Sequence, residues 1–276
     1  MNLTDISTIK KILKENNLWA NKKFGQNFLT NKKVLDKIIT AAEIQNNDHV
    51  VEVGPGLGCL TIELAKLAEK VTTIELDTNL IPILQKNLTG SKNVEILNED
   101  ALEFELPTGP YKVVANIPYN ITSPLINHFV KDTFMSETLL PPTSLTLLIQ
   151  KEVAEKICSE DGKLNVFALN VQTFADCEII AGVPKDNFYP EPQVDSAVIK
   201  IKVLSQPKVS CNLKKYFQII SAAFAQKRKK INNSLTPLFQ AWDLDPEKIF
   251  QKAGIDPNLR PEDLKIRDFD IMTNSF

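Results

Sequence analysis

The sequence predicts the α/β class: a parallel, doubly wound sheet with helices on both faces, followed by a small all-helical unit. Three observations carry this. Four short β-branched runs, HVVEVG (49–54), KVTTIEL (70–76), NVEILN (93–98) and YKVVAN (111–116), begin 21, 23 and 18 residues apart. Amphipathic helical patterns fill the gaps between them. Beyond about residue 204 the strand-like runs stop and short helical patterns take over. Apolar strands alternating with amphipathic helices imply βαβ units with right-handed crossovers.

Taken in order, ISTIKKIL and VLDKIITAAE read as helices flanking a polar-aromatic loop, KKFGQNFLTN. CLTIELAKLAE places Leu60, Leu64 and Leu67 on one helix face, and NLIPILQKNL does the same with Leu80, Ile83, Leu84 and Leu88. SLTLLIQKEVAEKIC reads as strand then helix, VFALNVQTFADCEIIAGV as strand-rich, and VDSAVIKIKVL as a strand of dyad pattern. SQPKVSCN looks like a connection, after which LKKYFQIISAAFAQKRKKINNSL, DPEKIFQKAG and PEDLKIRDFDIM are helical. The expected division is an α/β domain at 1–204, carrying an N-terminal helical and loop extension, and a helical domain at 205–276.

The 276 residues are 43% hydrophobic and 24% charged, which excludes a collagen-like or disordered chain. No stretch approaches the ~18 apolar residues of a membrane span, and the opening lacks a signal-peptide apolar region, so the expected compartment is the cytoplasm. Cys59, Cys158, Cys177 and Cys211 form no CxxC pair and have no histidine at zinc-ligand spacing, so free thiols and no metal are expected. With only His49 and His128, a Ser-His-Asp triad has little to draw on. The net charge of −2 hides a segregation: residues 1–40 hold eight lysines against three acids, and residues 205–235 hold seven basic residues and no acid. Such asymmetry fits a polyanionic partner or a solvated face.

In a doubly wound sheet, ligands sit at the carboxyl ends of the strands. The first run ends in Glu52-Val53-Gly54-Pro55-Gly56-Leu57-Gly58, a glycine loop that lets backbone approach a ligand closely. A dinucleotide fingerprint wants its third glycine where this chain has Cys59, so the fit to a nicotinamide site is poor. The second run ends in Glu75, placed to accept from ribose hydroxyls. The third ends in Asn98-Glu99-Asp100, whose last carboxylate is placed to accept from an adenine amino group or to cap the turn at Ala101-Leu102. Together these acids fit S-adenosylmethionine better than NAD.

The fourth run ends in Asn116-Ile117-Pro118-Tyr119. One reading is a turn with a core aromatic; the other is a clamp on an aromatic amine. An exocyclic adenine amine is a poor nucleophile because its lone pair is delocalised into the ring. If the Asn116 side-chain oxygen and the Ile117 carbonyl both accept from that amine, the nitrogen is drawn toward tetrahedral geometry and its lone pair can aim at a sulfonium methyl. Pro118 fixes the backbone so that the carbonyl points inward, and Tyr119 offers a face for stacking, worth about 1–3 kcal/mol per base. A flipped or unpaired nucleotide needs a second aromatic wall. Phe188 is the candidate, with a packing role under its Pro-rich loop as the alternative.

The strings KKFGQNFL, VEVGPGLG, IELD, EDAL, ANIPYNITSP, QKEVAEK, FYPEPQVDSAV and AAFAQKRKKINNSL, collinear from about Lys22 to Pro261, resemble the bacterial small-subunit ribosomal RNA adenine dimethyltransferases, the KsgA/RsmA family. The resemblance implies a Rossmann-like S-adenosylmethionine-dependent methyltransferase fold with a small C-terminal helical domain. It implies N6-dimethylation of two adjacent adenines in the 3′-terminal hairpin loop of 16S rRNA, within the small subunit or its precursor, by a monomer. Asn27, Leu29, Glu52, Gly54, Gly56, Glu75, Asp100 and Asn116 then fall on the cofactor site. Asn116, Ile117, Pro118 and Tyr119 fall on the target-amine motif, and Phe188 on the aromatic position facing Tyr119. Lys22, Lys23, Lys227, Arg228, Lys229 and Lys230 become candidates for holding phosphates.

Two positions depart from the family pattern. Leu164-Asn165 replaces Tyr-Gly, where Asn165 is expected to tolerate a left-handed turn, and the serine cap of the last helix is replaced around Lys265-Ile266. Basic residues are 29 lysines against three arginines, so guanidinium stacking on RNA is largely absent. Erm-type enzymes acting on large-subunit rRNA share QNFL and NIPY, but GPGLG, QKEVAEK and KRKKINNSL favour the small-subunit family. A non-catalytic RNA-binding assembly factor of the same fold is a further rival, opposed by intact Gly54, Glu75, Asp100 and Asn116. A nucleotide-dependent oxidoreductase is opposed by the missing third glycine.

Overall fold

The structure, a computed structural model, describes residues 2–21, 25–160, 163–226 and 228–276. The proposed phosphate contacts Lys22, Lys23 and Lys227 lie outside the described residues. The described residues form nine strands: β1 (Phe28–Leu29), β2 (His49–Val53), β3 (Lys70–Ile74), β4 (Val94–Leu97), β5 (Lys112–Asn116), β6 (Ser144–Gln150), β7 (Ala175–Val183), β8 (Phe188–Tyr189) and β9 (Ser196–Val203). Seven build one sheet in the order β4-β3-β2-β5-β6-β9-β7, parallel from β4 to β6, with β9 antiparallel to both of its neighbours. From β2 the chain steps outward to β3 and β4, then returns to lay β5 on the other side of β2. That reversal opens a crevice above the carboxyl ends of β2 and β5.

Period-2 alternation sorts the strand residues between two faces. Val113 and Ala115 of β5, with Leu145, Leu147 and Ile149 of β6, enter the larger core; Val114 and Leu148 enter the second. The N-terminal half carries four helices, α1 (Ile6–Glu15), α2 (Lys32–Ala42), α3 (Cys59–Ala65) and α4 (Ile81–Asn87), of which α2 and α3 cover the second core. On α3 and its C-terminal flank, Leu60 and Leu64 are buried as expected, whereas Leu67 lies past the helix end and is exposed. The NLIPILQKNL face holds, with Leu80, Ile83, Leu84 and Leu88 all buried.

The larger core is covered by α5 (Thr122–Asn127), a π-helical turn at His128–Asp132, α6 (Thr133–Met135), α7 (Lys151–Ile157) and α8 (Val166–Gln172). The strand-rich reading of VFALNVQTFADCEIIAGV is thus half corrected: β7 occupies its second part, but the first is helix. The cause is local. Asn165 is extended (φ −134°, ψ 168°), not left-handed, and its side chain accepts from the Ala168 amide at 3.0 Å, an N-cap that starts the helix. Helices α9 (Leu213–Phe224), α10 (Ile231–Ala241), α11 (Pro246–Ala253) and α12 (Ile266–Thr273) complete the chain. At the altered start of α12, Asp268 accepts from the Lys265 amide at 2.8 Å, so the helix begins without a serine.

A third apolar cluster joins α1 (Ile9, Ile12, Leu13) to Phe28, Leu57, Leu80 and Ile83. It seats the N-terminal helix over the glycine loop. The two-residue ribbon β1–β8, with Phe28 opposite Tyr189 and Leu29 opposite Phe188, carries the QNFL segment along the rim of the crevice.

Candidate functional site

The crevice is a cleft walled by Gln26, Asn27, Phe28 and Leu29 from the N-terminal segment, by Glu52, Gly54 and Gly56 after β2, by Glu75 after β3, and by Asn116 through Tyr119 after β5. A second hollow, lined by Gly54, Glu75, Leu76, Asp100, Pro118 and Ile121 among others, adjoins it. The two share Gly54, Glu75 and Pro118. A β-carbon on Gly54 would stand 3.4 Å from the Pro118 ring, and Gly54 has φ +69°, so this narrow waist calls for glycine.

The carboxylates at the strand tips are held in place by backbone. Glu75 is 6% exposed; its two oxygens accept from the Asp77 amide (2.8 Å) and the Gly56 amide (3.2 Å). Burial raises its carboxyl above the ordinary value, and those two amides oppose the rise. Glu52 is 1% exposed, and burial pushes its carboxyl up to about 7, although Thr73 donates to Oε2 at 3.2 Å. Its other oxygen, Oε1, is buried with no partner among the described residues. Asp100 accepts from the Leu102 amide at 2.9 Å, so its capping role is real, and the same residue lines the second hollow. Asn98 bridges two tips by donating to the Glu75 carbonyl at 2.7 Å.

Asn116 is oriented from across the cleft. Its side-chain nitrogen donates to the Asn27 carbonyl at 3.1 Å, which turns Oδ1 the other way as an acceptor. Ile117 is buried and its amide donates to the Leu148 carbonyl at 3.1 Å, anchoring the motif to β6. Pro118 takes φ −54° and ψ 129°. Half-buried Tyr119 is tethered through its hydroxyl to Ser196 Oγ at 2.6 Å, and burial raises its phenol. These four residues and Asn27 therefore meet at one wall.

Phe188 does not join them. It is 3% exposed, packed with Leu29, Val34 and Leu35 in the second core, and is absent from the cleft lining, which favours the packing alternative under the ribbon. Arg228, Lys229 and Lys230 are exposed in the break between α9 and α10; Lys230 donates to Asn258 at 2.8 Å. Sequence reasoning missed Gln26, which lines the cleft, donates to Asp77 at 2.7 Å and accepts from the Asn21 amide at 2.8 Å, and it missed Ser196. Both lie inside the quoted strings, but neither carries a spacing signal. Cys59 lines the cleft too, with a thiol that burial and Glu52 push up to about 12, too high for a thiolate nucleophile.

Among the described residues, the lining of both hollows carries acids and no basic side chain. That is the wrong field for a pyrophosphate, which seeks amide clusters and cations, and the right one for a cationic ligand. The orphaned Glu52 Oε1 and the glycine waist fit a sulfonium donor with an ammonium group.

Relatives agree with this chemistry. The chain is 37% identical over 283 residues to the ribosomal RNA small subunit methyltransferase A of Clostridioides difficile (strain 630), covering 99% of this chain and 96% of that protein. It is 40% identical over 274 residues to the protein of the same name from Clostridium botulinum (strain Loch Maree / Type A3), covering 94% and 95%. Among solved structures it is similar to a dimethyladenosine transferase from Plasmodium falciparum (TM-score 0.75, 27% identity, 88% of this chain and 95% of that one). It is also similar to the 23S rRNA methyltransferase ErmE (TM-score 0.72, 27% identity, 90% and 99%). Residues 17–275 match the family described as ribosomal RNA adenine dimethylase, and the chain belongs to that family.

Proposed function

We propose that this chain dimethylates N6 of two adjacent adenines in the 3′-terminal hairpin loop of 16S rRNA, on the small subunit or its precursor, using S-adenosylmethionine and acting as a monomer. The observation that carries the reading is the orientation of Asn116 by the Asn27 carbonyl. It leaves Oδ1 and the Ile117 carbonyl as two acceptors for one exocyclic amine.

When bound, S-adenosylmethionine supplies an electrophilic sulfonium methyl. Glu52 and Gly54 hold its amino-acid end, Glu75 its ribose hydroxyls and Asp100 its adenine amine, with Asn27, Leu29 and Gly56 closing around them. The Asn116 side-chain oxygen and the Ile117 carbonyl would accept hydrogen bonds from the two N–H groups of the target amine, freeing the nitrogen lone pair to attack the methyl as the carbon–sulfur bond breaks and the donor leaves as a neutral thioether, the one surplus proton then passing to solvent. No strong base is needed, because the nitrogen sheds its proton readily once it carries the methyl. Tyr119, fixed by Ser196, provides the stacking face. Arg228, Lys229 and Lys230 hold phosphates, and the chain divides into a methyltransferase domain at 1–204 and a helical domain at 205–276.

The test is methyl-labelled cofactor offered to purified small subunits and, separately, to 23S rRNA. Label recovered as N6,N6-dimethyladenosine in 16S rRNA is expected. Label in 23S rRNA instead would favour the Erm-type reading, and label in neither the non-catalytic one.

A further inference from the structure

The most exposed large apolar side chain among the described residues is Trp19, at 82%. It stands after α1 at the edge of a groove of about 600 Å³ lined by Lys10, Lys14, Asn17, Trp19, Tyr189 and Pro190 with three apolar neighbours, and by no acid. Lys10 places its ammonium 5.0 Å from the centroid of the Tyr189 ring. Among the described residues neither Lys10 nor Lys14 forms an ion pair, since the neighbouring Glu15 takes Lys11. Two uncompensated cations and two aromatic faces thus border one hollow.

Its position matters. Tyr189 pairs across the β1–β8 ribbon with Phe28, and Phe28 lines the methyl-transfer cleft. Directly opposed residues of an antiparallel pair point to the same face, so the groove at Tyr189 and the cleft at Phe28 adjoin along one side of the ribbon.

We propose that this groove binds an unpaired nucleotide flanking the target adenines, its base stacked on Trp19 and its phosphate held by Lys10 and Lys14. The reading rests on the rRNA methyltransferase assignment for the identity of the polymer. The pairing of aromatic platforms with cations is what single-stranded nucleic acid requires, and the two lysines beside Trp19 and Tyr189, with no acid in the lining, favour a polyanion.

The experiment compares the wild type, Trp19→Ala and Trp19→Phe, each titrated with a single-stranded oligoribonucleotide of about ten nucleotides, within the span of one such binding groove. Tryptophan emission and affinity are followed together, and donor binding by calorimetry reports that each variant is folded. Wild-type emission is expected to quench on binding, and Trp19→Ala to lose the quench and bind about 5- to 100-fold more weakly, the range of a single base–aromatic stack. Trp19→Phe should regain most of the affinity. On small subunits the loss should fall in KM and leave kcat alone. Equal oligoribonucleotide affinity for wild type and Trp19→Ala would overturn the proposal. So would a variant that binds the oligoribonucleotide normally but whole subunits weakly, which would mark a protein contact. Wild type that binds and quenches yet methylates no rRNA would refute the enzymatic reading alone.

Discussion

Glu52 shows how a single buried group ties stability to pH. Its folded value of about 7 lies above the ordinary 4.5, so between those limits the folded state holds a proton that the unfolded chain releases. The contribution is fully present below about pH 4.5 and is lost as pH rises through about 7, a swing on the order of 3 kcal/mol. Glu75, raised by the same cause, adds in the same direction. Thermal unfolding from about pH 5 to pH 8 should show falling stability in the wild type and a flatter profile in Glu52→Gln; parallel profiles would show that the burial is not felt. The sequence marked Glu52 as an acid of the pocket, but burial is a tertiary property. Nothing in VEVGPGLG says that one of its oxygens is left without a partner. Phe188 makes the same point in reverse, since a Pro-rich loop looks exposed until β8 pairs with β1 and buries its first residue.

At the scale of the element, the glycine loop is a joint between helices. Gly58 is the N-cap of α3 with φ +89°, and a β-carbon there would stand 2.9 Å from Leu84 Cδ1 on α4. Gly58→Ala should therefore lower the urea midpoint by an amount worth about 1–3 kcal/mol with an unchanged m-value. An unaltered midpoint would mean that α4 gives way freely. Strands β2 and β3 were legible because each is a buried β-branched run followed by a helix of clear period, whereas β4 is only half-buried and reaches β5 through turns with no helix between them. Two elements were not. The ribbon β1–β8 has two residues per strand and so no period to read. Helix α8 opens on Val166 and Phe167, residues that favour strands, and is decided by the Asn165 cap and by burial against the sheet.

For the whole molecule, the apolar core runs on across residue 204, where the strands give way to helices. Phe134 stacks on Phe174 at 4.5 Å, Phe174 meets Phe217 of α9 at 5.8 Å, and Tyr216 bonds Thr173 at 3.1 Å. The helical segment was legible from composition; its docking was not, because the aromatic residues that make it are far apart in sequence. Strand tips after a regular βαβ rhythm fall where the topology reverses, which is why the sequence brought Glu52, Gly54, Glu75 and Asn116 into one candidate site and why all four line the same cleft. What this assembly accomplishes depends on the Asn116 clamp. The most direct measurement is single-turnover methyl transfer to small subunits by Asn116→Ala, with donor affinity measured in parallel. Donor binding should remain measurable while the transfer rate falls by at least about 100-fold, the loss typical when a preorganised polar contact to the reacting group is removed. Transfer at the wild-type rate would contradict the account.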